Sequence, residues 1–105
     1  MRAGALDSRI TLERPVWETT PEGQARRERW EEVATVSAFV RHLRAQERFQ
    51  APKAMPVESL SIWIRWRHVE PTWRVVLDGR PYRITGLAPI RRRRGVEITA
   101  ERIET

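Results

Sequence analysis

Alternation with period two runs through most of this chain and commits it to sheet. The clearest case is SLSIWIRWR, where Leu60, Ile62, Ile64 and Trp66 take one face and Ser61, Trp63, Arg65 and Arg67 the other. Successive side chains of an extended strand point to opposite sides, so this pattern makes a strand with one apolar face. On that face Trp66 reads as core. Trp63 falls on the polar face and reads two ways: a second layer of core under a neighbouring element, or an anchor in a subunit interface, where Trp and Arg are enriched.

The same alternation recurs. SRITLERPV sets Ile10 and Leu12 against Arg9, Thr11 and Glu13, and Pro15 is expected to end that strand. In WEEVATVSAFVRHL the β-branched and small residues from Val33 onward favour a long strand, with Val36, Ala38 and Val40 on one face. WRVVL, PYRITGL and VEITAERI supply three more, the last with Val96, Ile98 and Ala100 inward. Asp78 and Gly79 form a tight-turn signal between two of them, because both residue types tolerate the positive φ that two-residue hairpins require. Trp17, Trp30 and Trp73 fall near strand ends and are expected to be half-buried.

Two stretches depart from the pattern. Residues 18–29 are polar and punctuated by Pro21 and Gly23, which predicts a loop. Residues 45–51 are good helix formers stopped by Pro52, which predicts a helix of two turns at most, followed by an irregular arm to Pro56. About six short strands with tight turns and one short helical insert predict an all-β domain, a small antiparallel barrel or sandwich with long loops, over residues 1–105.

The residues offer little for catalysis. With no cysteine, a thiolate metal site, a disulfide framework and a cysteine nucleophile are all excluded. His42 and His68 lack partners at ligand spacing, and no phosphate loop, nucleophile elbow or carboxylate pair stands out. No catalytic, cofactor or metal residues are assigned, and no enzymatic activity is expected. No apolar run is long enough for a transmembrane helix, and neither a secretory signal nor a membrane partner is expected.

Charge is the sharper feature. The chain carries +6 in all. Residues 1–32 contribute −1 and residues 33–105 contribute +7. Lys53 is the only lysine among 20 cationic residues, a bias that suits planar contacts to phosphate or carboxylate and that a GC-rich genome would also produce. Arg91, Arg92, Arg93 and Arg94 stand in a row between Pro89 and Gly95, which predicts a basic hairpin tip. Such a tip is either a solvated turn or a contact for DNA or an acidic partner. One monomer would bind DNA weakly and with strong salt dependence, whereas a ring of tips would gain by avidity. WIRWRH also interleaves aromatic and basic residues, a weak sign of a stacking platform for single-stranded nucleic acid.

The order of motifs resembles a known family. AGALDSRITLERP, GQARRERWEEVATVSAFV, AQE, SIWIRWR and VVLDGRPYRITGL follow one another from about Gly4 to Glu101 as in the head-closure, or head–tail joining and stopper, proteins of siphophages, prophages and gene transfer agents. RITLERP and DGRPYRI are the most specific stretches. The resemblance implies a small β-barrel with a short helix and extended loops. It implies a homo-oligomeric ring beneath the portal and adaptor rings that closes the channel on packaged double-stranded DNA and offers a platform to tail proteins. The place implied is the neck of a virion or phage-like particle assembled in the bacterial cytoplasm, with no catalysis. On this reading Arg91, Arg92, Arg93 and Arg94 face the channel or an acidic neighbour, and Arg44, Glu47, Arg48, Phe49, Trp63 and Arg65 are subunit-interface candidates. Two rival readings stay open: a monomeric basic β-barrel that binds nucleic acid, and a neighbouring neck protein such as a tail terminator.

Overall fold

A computed structural model describes residues 7–19, 23, 26–43 and 58–103. Six strands carry the chain: β1 (Ser8–Thr19), β2 (Arg26–Leu43), β3 (Ser59–Arg65), β4 (Arg74–Leu77), β5 (Arg80–Ile90) and β6 (Gly95–Arg102). They close into an antiparallel barrel in the order β1-β2-β3-β6-β5-β4. Closure removes the open sheet edges that a flat arrangement of these strands would leave. Among the described residues there is no helix; the predicted helical insert at 45–51 lies outside them.

The alternating residues meet inside. Ile10 and Leu12 of β1, Ala38 of β2, Leu60, Ile62 and Ile64 of β3, Val75 of β4, Tyr82 and Ile84 of β5, and Val96, Ile98 and Ala100 of β6 form one buried cluster. Trp73, just before β4, joins it. At roughly 25 cal/mol per Å² of apolar surface, full burial of each large aliphatic side chain is worth about 1.5–3 kcal/mol, which is what makes the strand pattern decisive.

Two bulges re-aim strands. The β1–β2 register shifts between Leu12 and Glu13, and the β5–β6 register shifts between Ile84 and Gly86. At the second, Thr85 is the extra residue and its hydroxyl donates to the Thr99 carbonyl at 3.1 Å. The inward positions of β5 therefore pass from Tyr82 and Ile84 to Leu87, which is cross-strand from the buried Ile98.

Three expectations are corrected. Pro15 does not end β1, which continues to Thr19 with Pro15 opposite Trp30. Beyond Glu13, β4 no longer flanks β1, so the missing proline N–H removes no ladder bond on that side. The loop expected at 18–29 is overturned at both its ends: residues 18–19 belong to β1 and residues 26–29 to β2, which pair as a two-stranded ribbon that runs past the barrel. The third concerns Trp66, which is 45% exposed rather than core. Pairing of β3 with β6 stops at Arg65 opposite Gly95, so the face alternation that placed Trp66 inside no longer applies to it.

Candidate functional site

The Asp78–Gly79 turn and the arginine tip lie at opposite ends of β5. Leu77 pairs with Arg80 across a two-residue loop. Asp78 has φ 52° and Gly79 φ 77°, the signs that the favoured two-residue hairpin turns need.

The arginine tip is less ordinary. Ile90 pairs with Gly95, leaving Arg91 to Arg94 as the loop. Arg91, Arg92 and Arg93 have φ of 44°, 54° and 68°. Three successive non-glycine residues in the left-handed region each cost about 1–2 kcal/mol. Hydrogen bonds hold the turn: the Arg94 N–H donates to the Ile90 carbonyl at 2.9 Å and to the Arg91 carbonyl at 3.2 Å. The Trp66 N–H donates to the Arg94 carbonyl at 3.3 Å. The Arg93 guanidinium lies 5.4 Å from the centre of the Trp66 ring, within cation–π range. All four arginines are exposed.

Beside the tip is a largely apolar recess of about 160 Å³, lined by Trp66, Val69, Leu87, Ala88, Pro89 and Val96 together with Arg67 and His68. Arg67 donates to the His68 carbonyl at 3.1 Å, and the His68 ring nitrogen Nε2 is 3.1 Å from Glu70. Arg65, a predicted interface residue, is exposed at the end of β3. Trp63, the other described one, is half-buried and packs edge-on against Phe39 at 5.9 Å between ring centres. Arg44, Glu47, Arg48 and Phe49 lie outside the described residues.

Two features were not singled out from the sequence. A larger groove of about 400 Å³ runs along the ribbon base between Pro15, Trp17, Trp30, Pro71 and Trp73. Trp17 is 60% exposed there. On its flank Arg74 stacks on Trp30 at 4.4 Å and donates to Glu13 at 2.7 Å. Farther round, Glu58 gathers His42 at 3.2 Å and Arg102 at 3.7 Å. Burial and the Glu58 carboxylate push the Tyr82 hydroxyl above its ordinary pKa. Nothing in the local sequence pairs residues 15, 30 and 73, or 42, 58, 82 and 102; strand register alone unites them. Among the described residues no group of three His, Cys, Asp or Glu could hold a metal ion.

Comparison with known proteins agrees with this architecture. The model of the phage head completion protein family matches residues 1–103. The chain belongs to that family. Head completion proteins are structural parts of phage particles, and this chain is accordingly a head completion component of a phage or phage-like particle. It is similar to a protein of Shigella flexneri 2a, known from a solution structure, with 27% identity, a TM-score of 0.77 and coverage of 97% of this chain and 96% of the other. It also shares its fold with a chain in the virion of a native gene transfer agent particle, at 20% identity, TM-score 0.67, and coverage of 92% and 94%. No curated protein matches.

Proposed function

We propose that this head completion protein works as a ring subunit below the portal and adaptor, closing the DNA channel after packaging and presenting a platform for tail proteins. The observation that carries the reading is the family match over residues 1–103. The architecture supports it: a closed barrel is a rigid body with little edge to pair wrongly, and it carries two projections suited to contacts, the β1–β2 ribbon and the arginine tip. The role is a binding role and asks for no catalytic group. Arg91, Arg92, Arg93 and Arg94 serve as an anion-facing contact, toward the channel DNA or an acidic neighbour. Trp63 and Arg65, with Arg44, Glu47, Arg48 and Phe49, serve as subunit-interface residues.

The test is complementation. DNA-filled heads assembled without this protein should leak DNA and reject tails; adding the purified chain should restore both, and electron microscopy should show a ring at the vertex. Heads that stay sealed and accept tails without the protein would overturn the role. The free chain should be monomeric by light scattering and bind duplex DNA feebly, with binding lost near physiological salt. Tight, salt-tolerant binding by the monomer would favour a nucleic-acid-binding protein instead.

A further inference from the structure

We propose that the apolar recess walled by Trp66, Leu87 and Val96, beside the arginine tip, is a docking site for an acidic polypeptide segment that carries one bulky apolar side chain. The inference rests on the tip being a contact surface in the role above, and narrows its partner from any polyanion to one of defined chemistry.

Charge complementarity is the first argument. Arg65, Arg67, Arg91, Arg92, Arg93 and Arg94 surround this end of the barrel. The nearby carboxylates, Glu70 beside His68 at 3.1 Å and Glu97 accepting from the Ser61 hydroxyl at 2.9 Å, are outnumbered by these arginines. The surplus positive charge attracts an anionic partner.

Shape decides which anion. The recess of about 160 Å³ is the room of one leucine- or phenylalanine-sized side chain. Its walls are Trp66, Val69, Leu87, Ala88, Pro89 and Val96. A DNA duplex presents phosphates on a convex surface and keeps its bases stacked. It would satisfy the arginines but leave the apolar walls and the Trp66 ring in water. An acidic peptide with one apolar residue meets both: its carboxylates pair with guanidinium forks, and its side chain leaves water in the recess. A tryptophan beside arginines around an apolar pocket is also the composition of an interface hot spot.

The backbone adds pre-organisation. The Trp66 N–H and the Ile90 and Arg91 carbonyls hold the tip in a conformation that three arginines adopt at a cost. The Arg93 guanidinium already lies over Trp66. A partner therefore meets arginines whose backbone is set before contact, which lowers the ordering cost of binding.

The experiment uses the full chain and three labelled probes in fluorescence polarisation at low salt: a short Asp/Glu peptide with one central leucine, the same peptide with serine there, and a short DNA duplex. The leucine peptide should bind about tenfold or more tighter than the serine peptide. Trp66→Ala should lower leucine-peptide affinity by about tenfold while leaving the weak serine-peptide binding alone. Ala88→Glu, at an exposed wall position, should abolish leucine-peptide binding, and thermal melts establish that both variants fold. Equal affinities for the two peptides would overturn the proposal, as would a preference for the duplex unaffected by Trp66→Ala, or no binding of any probe. Head complementation separates this outcome from the role itself. Heads completed by a chain that does not discriminate the peptides would sink only this inference; heads left incomplete would sink the role and leave the peptide result standing.

Discussion

Replacing Arg74 with methionine should loosen the barrel at its shortest seam. β1 and β4 meet over only three register pairs, Thr11 with Val76, Leu12 with Val75 and Glu13 with Arg74, whereas β3 and β6 share seven. At the end of that seam Arg74 Nε donates to Glu13 Oε1 at 2.7 Å, with the two side chains 23% and 20% exposed. The guanidinium also lies 4.4 Å from the centre of the Trp30 ring, so one side chain ties β1, β2 and β4 together. A charged hydrogen bond contributes about 1.5–3 kcal/mol when sheltered, and partial exposure brings this toward about 1–2 kcal/mol. The cation–π contact adds about 0.5–1 kcal/mol. Methionine keeps the aliphatic packing and removes both, so the expected loss is about 2 kcal/mol. For a domain of this size that is a fall in Tm of roughly 8–16 °C. Thermal and urea unfolding of the wild type, Glu13→Gln, Arg74→Met and the double variant would isolate the pair, with an expected coupling of about 1 kcal/mol. Arg74→Lys should fall between, since lysine keeps the charge and loses the planar stack. A Tm drop under about 3 °C, with coupling below about 0.3 kcal/mol, would refute the assignment of the seam's strength to this residue.

Other outcomes follow from the same geometry. Arg92→Gly relieves a left-handed φ of 54°; the gain of about 1–2 kcal/mol less glycine's entropy cost of about 0.5–1 kcal/mol should raise Tm by a few degrees, and an unchanged or lowered Tm would mean the tip is unstrained. The Tyr82 hydroxyl has a folded pKa raised by burial and by Glu58, so its contribution to stability is complete below the unfolded value, about 10, and is lost as pH rises through the folded one. Tyr82→Phe should flatten that alkaline loss in a pH series of urea midpoints; an identical slope in the variant would exclude Tyr82 as its source. The Arg14 guanidinium, hydrogen-bonded to Glu31, holds the Glu31 carboxyl below its ordinary value of 4.5, so the stabilising contribution is present above that value and fades as pH falls through the lowered one. A carboxyl NMR titration should show the Glu31 midpoint moving up in Arg14→Ala; no movement would remove the pair as the cause.

Local pattern carried most of the fold. Ile10, Leu12, Leu60, Ile62, Ile64, Val96, Ile98 and Ala100 were all legible as inward residues because strand geometry alternates faces whatever the partner strand is. The all-β class and the number of strands followed from that, and the order of motifs was enough to point to the family. Where strands begin and end was less legible. Pro15 read as a stop, yet it sits within a strand where β4 no longer flanks it, and a proline's tolerance depends on its neighbour rather than on itself. Trp66, expected in the core, is exposed because alternation holds only while a strand is paired, and the β3 ladder ends one residue before it. Trp17 and Trp73, both expected half-buried, are exposed and buried respectively.

The site divides along the same line. The run from Arg91 to Arg94 and its place at a hairpin tip are local properties, fixed by a charge run between two strand patterns. Its left-handed backbone, the cover of Trp66 by Arg93, and the recess shared by Trp66, Leu87 and Val96 required β3, β5 and β6 to be brought side by side. The seam held by Glu13, Trp30 and Arg74 joins three strands distant along the chain. The sequence by itself determined which faces are apolar and where positive charge collects, because both depend on a residue and its immediate neighbours. Only the tertiary structure decided which of those residues meet, because barrel register links positions that share no local pattern.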